Sequence, residues 1–328
     1  VPDPLDYLPT ASLARLQQRG ELLWAIRQWF SEAGFLEVQT PSLSADTVVD
    51  LHLDPPRLAT AELQLNRADL PATLFLQTSP EYAMKRLLVA GMEAIYQIGP
   101  AFRAGERGPQ HNPEFTMLEW YRVGNTASDA IDFLERFANT FLPGGRCRRQ
   151  TYRELFAEAV GWDPLEISTE DLQRHVAGTD AALAASLRHD RDSLLDWVLA
   201  TQIQPLTAPG PPLIVTHYPL SQAALAQASS AHPGTAERFE LFAGGLELAN
   251  GYGELLDPEI LRQRAAKNQQ QRDRQGKPPL PGSSRLLTAM QAGLPPCAGV
   301  ALGIDRLLMV AGGCETIEEV LPFPIERA

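Results

Sequence analysis

Residues 102–115 read Phe102-Arg103-Ala104-Gly105-Glu106-Arg107-Gly108-Pro109-Gln110-His111-Asn112-Pro113-Glu114-Phe115. Apolar runs at residues 95–98 and 115–121 read as strands, so the segment is expected to be a hairpin loop tipped with Arg, His and Gly. A guanidinium in such a loop can grip two phosphate oxygens and offset charge building on phosphorus, while Phe115 offers a flat surface to a base. Near the end of the chain, Gly299-Val300-Ala301-Leu302-Gly303-Ile304-Asp305-Arg306 places two glycines in a strand and an arginine at the start of a helix. The glycines let a ligand approach the backbone, and Arg306 can cover the second face of a base stacked on Phe115. Residues 238–254 form the third constellation, in which Asn250, Tyr252 and Glu254 share one face of an extended chain. Glu240 and Glu247 suit a Mg2+ that bridges nucleotide phosphates, and Glu254 suits a ligand ammonium.

These residues need elements to hold them. Leu13, Leu16, Leu23, Ile26 and Phe30 recur at helical spacing, with Ser12 as cap and Gly34 as stop, so a helix is predicted over residues 11–33. An extended segment, 35–40, follows and ends at Pro41. Further strands are expected at 74–77 and 213–218, and Gly244-Gly245 splits 239–254 into a hairpin. From 128 to 211 the pattern is helical, closing in a Pro- and Gly-rich loop at 205–212. A polar helix over 258–277, a loop at 276–284, a Gly-rich strand at 299–303 and a helix from about Asp305 complete the chain. Strands joined by long helical or irregular insertions point to an α+β fold with an antiparallel β-sheet flanked by helices.

The 328 residues are 44% hydrophobic and 21% charged, a balance that suits a soluble globular protein. No apolar run is long enough to span a bilayer, and residues 1–9 lack the basic and apolar regions of a signal peptide, so a cytoplasmic location is expected. Cys147, Cys297 and Cys314 are too scattered for a disulfide framework or a metal knuckle. The net charge of −12 argues against broad attraction to nucleic acid.

The loop at Arg103 and the segment at Arg306 resemble motifs 2 and 3 of class II aminoacyl-tRNA synthetases, with Gly34-Phe35-Leu36-Glu37-Val38-Gln39-Thr40-Pro41 resembling motif 1. The chain looks most like the lysyl-tRNA synthetase catalytic core, through Ser79-Pro80-Glu81, the run from His111 to Met117, and the run from Glu247 to Glu254. The resemblance extends over nearly all of the chain, which it implies is one synthetase-like catalytic domain, 1–328, with a helical insertion at about 128–211. It implies ATP and Mg2+ as cofactors, with Arg103 on the α-phosphate and substrate carboxylate and Arg107 and His111 near the outer phosphates. Asn112 would touch the nucleotide, and Phe115 and Arg306 would sandwich adenine. Ala104, Gly105, Glu106, Leu248 and Gly303 complete the implied ATP site, and Glu240 and Glu247 the metal site. Glu81, beside Ser79 and Pro80, would take the substrate's backbone-side amine. Tyr121 and Glu254, with Asn250, would take the distal amine.

Three features depart from a lysyl-tRNA synthetase. The motif 1 helix begins near residue 11, which leaves no space for an anticodon-binding OB domain, so tRNA is not the expected acceptor. Stand-alone proteins of this kind resemble the ligases that attach (R)-β-lysine to a lysine of elongation factor P, and the resemblance implies that partner, lysine or (R)-β-lysine as substrate, and a homodimer built on motif 1. Ala301 stands where lysyl enzymes have glycine, which reshapes the pocket beside the substrate's amine. Gly105 stands where motif 2 has glutamate, so either Glu106 or the backbone of Ala104 and Gly105 fills that role. A truncated enzyme charging tRNA and a non-catalytic amino-acid-binding paralogue are the rival readings.

Overall fold

In the computed structural model, residues 7–64, 69–188, 190–208, 210–282 and 284–328 are described. Residues 1–6, part of the stretch expected to hold no signal peptide, lie outside them, as do Pro209 and Ser283 in two of the expected loops. The chain divides into two compact units, Val1–Asn125 with Leu255–Ala328, and Thr126–Glu254. No helix among the described residues is long and apolar enough to cross a membrane.

The first unit begins with α1 (Leu13–Glu32), β1 (Leu36–Glu37), β2 (Leu43–Ser44), β3 (Arg57–Ala59), β4 (Thr73–Leu76), α2 (Glu81–Val89), β5 (Ala94–Phe102) and β6 (Glu114–Val123). The second unit holds α3 (Ala127–Phe141), β7 (Arg148–Thr151), α4 (Tyr152–Val160), α5 (Thr169–Ala177), α6 (Ala181–Ser186), α7 (Arg191–Val198), β8 (Leu213–Thr216), β9 (Arg238–Ala243) and β10 (Leu246–Gly253). The first unit resumes with α8 (Pro258–Arg274), α9 (Arg285–Gly293), β11 (Cys297–Gly303) and α10 (Ile304–Gly312).

Within the first unit the strands run β1-β5-β6-β11, antiparallel except for the parallel pair β1 and β5 at the edge. A small antiparallel sheet, β2-β4-β3, accompanies them. The second unit repeats the scheme, with β10, β9 and β8 antiparallel and β7 added parallel to β8. The expected α+β class with an antiparallel sheet and flanking helices is therefore present. The parallel edges were not anticipated, because β1 and β5 are joined through a long connection that local patterning does not register.

The strand β6 carries the architecture of the first unit. Successive side chains alternate between its faces, so Thr116, Leu118, Trp120 and Arg122 point one way and Phe115, Met117, Glu119 and Tyr121 the other. The even face packs under α1. Phe30, fully buried, stacks on Tyr96 at 4.6 Å and meets Trp120 edge-on at 5.3 Å. Burial of an aromatic side chain of that size stabilises by roughly 2–3 kcal/mol. As expected, α1 starts on a Ser12 cap, which accepts from the Arg15 amide, and stops before Gly34 at φ +78.

A buried carboxylate ties this layer together. Asp305, at the first turn of α10, accepts from Arg19 of α1 at 2.5 Å and from the backbone N–H of Thr116 at 2.7 Å. Arg19 also donates to the Thr116 hydroxyl at 2.6 Å. Removing one partner of a buried pair strands the other charge, which costs about 3 kcal/mol or more. Asp305→Asn is accordingly expected to lower the unfolding free energy by about 3 kcal/mol in urea titrations; a loss below about 0.5 kcal/mol would show the pair to be dispensable.

Candidate active site

The predicted hairpin loop lies between β5 and β6, which pair along their whole length, from Ala94 opposite Arg122 to Phe102 opposite Glu114. Backbone bonds shape the loop: Arg103 N–H donates to Pro113 O at 2.8 Å, Ala104 N–H to Asp54 O at 2.7 Å, and Gly108 and His111 bridge each other at 3.2 Å. The Arg103 guanidinium lies over the Phe115 ring, 5.0 Å from its centre. Its Nε is buried without a hydrogen-bond partner among the described residues, an arrangement that suits contact with an anion. Gly105 sits at φ +81, a conformation that disfavours any side chain, including the glutamate of the family pattern. Glu106 instead approaches Arg103, at 3.9 Å.

The loop's other polar groups are engaged within the first unit. Arg107 pairs with Glu318 and, at 2.5 Å, with Glu326, and those hydrogen bonds hold its charge more firmly than usual. Asn112 donates to Glu114 O at 2.7 Å and accepts from the Ile325 amide at 3.1 Å, so its amide fastens the loop to the carboxy-terminal segment. Arg306 donates to His111 Nε2 at 2.6 Å, which leaves the ring proton on Nδ1. Burial, together with the charge of Arg306, lowers the His111 pKa and favours the neutral ring. A guanidinium has five N–H groups, so Arg306 can hold His111 and still face a ligand.

On the odd face of β6 a second group assembles. The Ser79 hydroxyl donates to Glu119 Oε2 at 2.7 Å and accepts the Glu81 amide at 3.0 Å, at the point where Pro80 leads into α2. Glu81 pairs with Lys85 at 2.5 Å, one helical turn on, and Tyr121 donates to Glu119 Oε1 at 2.5 Å. Lys85 Nζ stands 5.8 Å from the centre of the Tyr121 ring. On the neighbouring strand β11, Gly299 lies opposite Tyr121 and Ala301 opposite Glu119. Both partners on β11 are thus small, next to two buried polar side chains. Gly303, opposite Met117, continues that small-residue row. Two buried carboxylates set against one ammonium can receive another cation, so the group is suited to an amine.

Glu119 and Lys85 escaped the sequence reading, although the signals existed. Glu119 precedes Tyr121 by two in a strand, and Lys85 follows Glu81 by four in a helix. The structure links Ser79, Glu81 and Tyr121 through Glu119, with Ala301 opposite Glu119 on the next strand.

In the second unit, Asn250 donates to Tyr252 at 3.0 Å, in keeping with their expected shared face, and Arg238 reaches Asn250 at 3.4 Å. Glu240 is buried, with Arg238 on one oxygen and Tyr218 on the other, each at 2.5 Å. A bulge between Glu247 and Ala249 adds buried Leu248 and re-aims the half-buried Glu247. Glu254 is buried and bridges to Ala226. Among the described residues no cluster of three or more His, Cys, Asp or Glu could hold a metal unaided. A donor set of one or two carboxylates fits Mg2+ that draws its other ligands from phosphates and water. Glu247 and Glu240 are the carboxylates of such a set, and Glu240 would share its oxygens with Arg238 and Tyr218. The basic run Arg146, Arg148 and Arg149 is partly neutralised within this unit: Arg149 pairs with Asp132 and Glu135, and Arg146 lies 3.7 Å from Glu135.

The model of the family "tRNA synthetases class II (D, K and N)" matches residues 4–327. An elongation factor P–(R)-β-lysine ligase of Vibrio cholerae serotype O1 is 42% identical over 323 residues, which make up 98% of this chain and 99% of the relative. Proteins of the same name from Yersinia enterocolitica and Proteus mirabilis are each 40% identical, over 98% of both chains.

Burial pushes the Glu119 carboxyl up to about 7, and the neighbouring Glu81 adds to the rise. A carboxyl raised in this way stabilises the fold below its unfolded value near 4.5, and that contribution is lost as pH climbs through about 7. Relative to the native protein, Glu119→Gln, which cannot ionise, should therefore gain about 2 kcal/mol between acid and mildly alkaline solution. Urea titrations at roughly pH 5 and 8 measure it, and a difference that does not vary with pH would mean that Glu119 does not titrate there.

Proposed function

The chain belongs to the class II tRNA synthetases for D, K and N, and within that family we propose that it activates (R)-β-lysine, or lysine, with ATP and joins it to the ε-amine of one lysine of elongation factor P. The observation that supports this reading most is the buried group on α2 and β6, two carboxylates with one lysine, facing Ala301 across the strand pair. It provides a receptor for an amine, and the methyl of Ala301 limits the space beside that receptor. A β-amino acid carries its amine one carbon further from the carboxylate than an α-amino acid does, so a single methyl can change the preference by about 1–3 kcal/mol.

In the first step a carboxylate oxygen of the amino acid attacks the α-phosphorus of ATP, and the bond to the β-phosphate oxygen breaks as pyrophosphate leaves with the electron pair. Arg103, whose buried Nε awaits a partner, neutralises charge on the α-phosphate. Neutral His111 serves the outer phosphates, and Arg107 joins it there by giving up a bond to Glu318 or Glu326, with Asn112 keeping the loop closed. Phe115 and Arg306 hold adenine, and the backbone at Ala104, Gly105 and Gly303 and the side chain of Glu106 complete the nucleotide contacts. Mg2+, when bound by Glu247 with Glu240, would supply further neutralisation of the phosphates. Glu81 takes the amine next to the reacting end, while Tyr121 takes the distal amine. In the second step the acceptor amine attacks the adenylate carbonyl, loses a proton and forms an amide as AMP departs. Positioning and electrostatics suffice, without a covalent intermediate on the enzyme.

The acidic net charge of −12 supports a protein acceptor over tRNA. A homodimer is proposed as well. Leu13 and Trp24 are 74% and 63% exposed and stand three turns apart on one side of α1, and Leu36, 58% exposed, sits on edge strand β1. Trp24→Glu combined with Leu36→Glu should convert the dimer to a monomer in analytical ultracentrifugation, and a native protein that is already monomeric would end the proposal.

The function is tested by supplying ATP, either lysine isomer, and either elongation factor P or tRNA, with products read by mass spectrometry. The expected product is elongation factor P heavier by one lysyl or β-lysyl residue, and Ala301→Gly should move isomer preference toward α-lysine by about tenfold. Charging of tRNA with no modification of the factor would overturn the assignment.

A further inference from the structure

We infer that Arg272 and Asp54 are positioning residues for the Arg103 loop: a guanidinium on α8 fixes residues 50–54, and the last carbonyl of that stretch holds the amide next to Arg103. The inference rests on the reading of that loop as the ATP-phosphate site.

The helix α8 is polar almost throughout, yet Arg272 within it is 0% exposed. Its Nη1 donates to the carbonyls of Asp50 at 3.0 Å and Leu53 at 3.4 Å, and its Nη2 donates to Asp54 Oδ1 at 2.7 Å and Pro278 O at 3.1 Å. Lys277 adds bonds to Leu51 O at 2.8 Å and Asp54 Oδ2 at 3.1 Å, and Asn268 donates to Val49 O at 3.0 Å. Three side chains thus converge on one short irregular stretch. That stretch ends at Asp54, whose carbonyl accepts the Ala104 N–H at 2.7 Å.

Stability alone does not explain the arrangement. Burying a guanidinium is costly unless its donors are paired, and Arg272 Nε has no hydrogen-bond partner among the described residues. A hydrophobic side chain would fill the position at lower cost but would have no way to orient three carbonyls. A planar fork fixes direction as well as distance, which Lys cannot do. Because Arg103 adjoins Ala104, a shift of residues 50–54 passes directly to the guanidinium that meets the α-phosphate. Displacement of a reacting group by about 1 Å can cost up to 100-fold in rate.

Two mild variants test the inference. Arg272→Lys keeps the charge and loses the fork; Asp54→Asn keeps the backbone carbonyl and loses the carboxylate. Amide hydrogen exchange should accelerate in peptides covering residues 103–108 as well as in those covering 50–54. In amino-acid-dependent pyrophosphate exchange, kcat/KM for ATP should fall about tenfold while KM for lysine changes by less than about twofold. Should Arg272→Lys fail to fold by circular dichroism, Asp54→Asn decides. Faster exchange confined to residues 50–54, or KM values for ATP and lysine that rise together, would overturn the inference. If the native protein catalyses no pyrophosphate exchange, the ATP reading falls, and hydrogen exchange at 103–108 still decides whether Arg272 and Asp54 hold the loop.

Discussion

The Asp305 carboxylate is the point on which the first unit depends. It lies buried at the start of α10, and it binds Arg19 of α1 and the backbone of β6 together. Those three elements contain or adjoin the three segments that resemble synthetase motifs. A carboxylate in this position must be paired to be tolerated, and its partners are fixed by that requirement. The face of β6 turned away from α1 is thereby held in place, and with it Glu119, Tyr121 and Phe115. Asp305 contacts no substrate in this scheme, yet it anchors the strand that carries Phe115, Glu119 and Tyr121.

Charge is distributed with the same economy around the amine receptor. Glu81 and Lys85 are neighbours by helix geometry, Glu119 and Tyr121 by strand geometry, and Ser79 joins the two pairs through one hydroxyl. None of these contacts relies on a long flexible loop. The phosphate-binding loop is different, since its tip is exposed and its shape comes from backbone bonds and from partners such as Asp54, Ile325 and Glu326. The proposed amine receptor is thus built on rigid elements, and the proposed phosphate site on a loop steadied from outside.

Much of this could be read in the sequence where a local rule sufficed. The helix capped by Ser12, the hairpin split at Gly244-Gly245 and the loop tipped by Arg103 each follow from spacing and turn chemistry within a few residues. What escaped notice depends on partners far away in the chain. Glu119 sits inside an apolar strand, and it becomes meaningful only beside Ser79 and Glu81. The helix α8 is polar as expected, but polarity there conceals a fully buried arginine, three of whose four acceptors lie more than two hundred residues earlier. The α2 helix, too short to display a clear period, was missed, and Lys85 with it. Arg107 looked available for phosphate by type, while the glutamates that hold it belong to the last turns of the chain.

The two-sided character of β6 has a consequence for how such a protein can diverge. Odd positions carry the side chains that the proposed scheme assigns to recognition and even positions carry the packing beneath α1, so replacement of a side chain at an odd position can alter ligand choice with the scaffold left intact. Insertion or deletion of one residue has the opposite effect, because it would turn Glu119 toward the helix and Trp120 toward the ligand at a stroke. Descendants of this sequence are therefore free to drift in composition along the strand but not in length, and new substrate preferences should arise by exchange of side chains on an invariant ten-residue ruler.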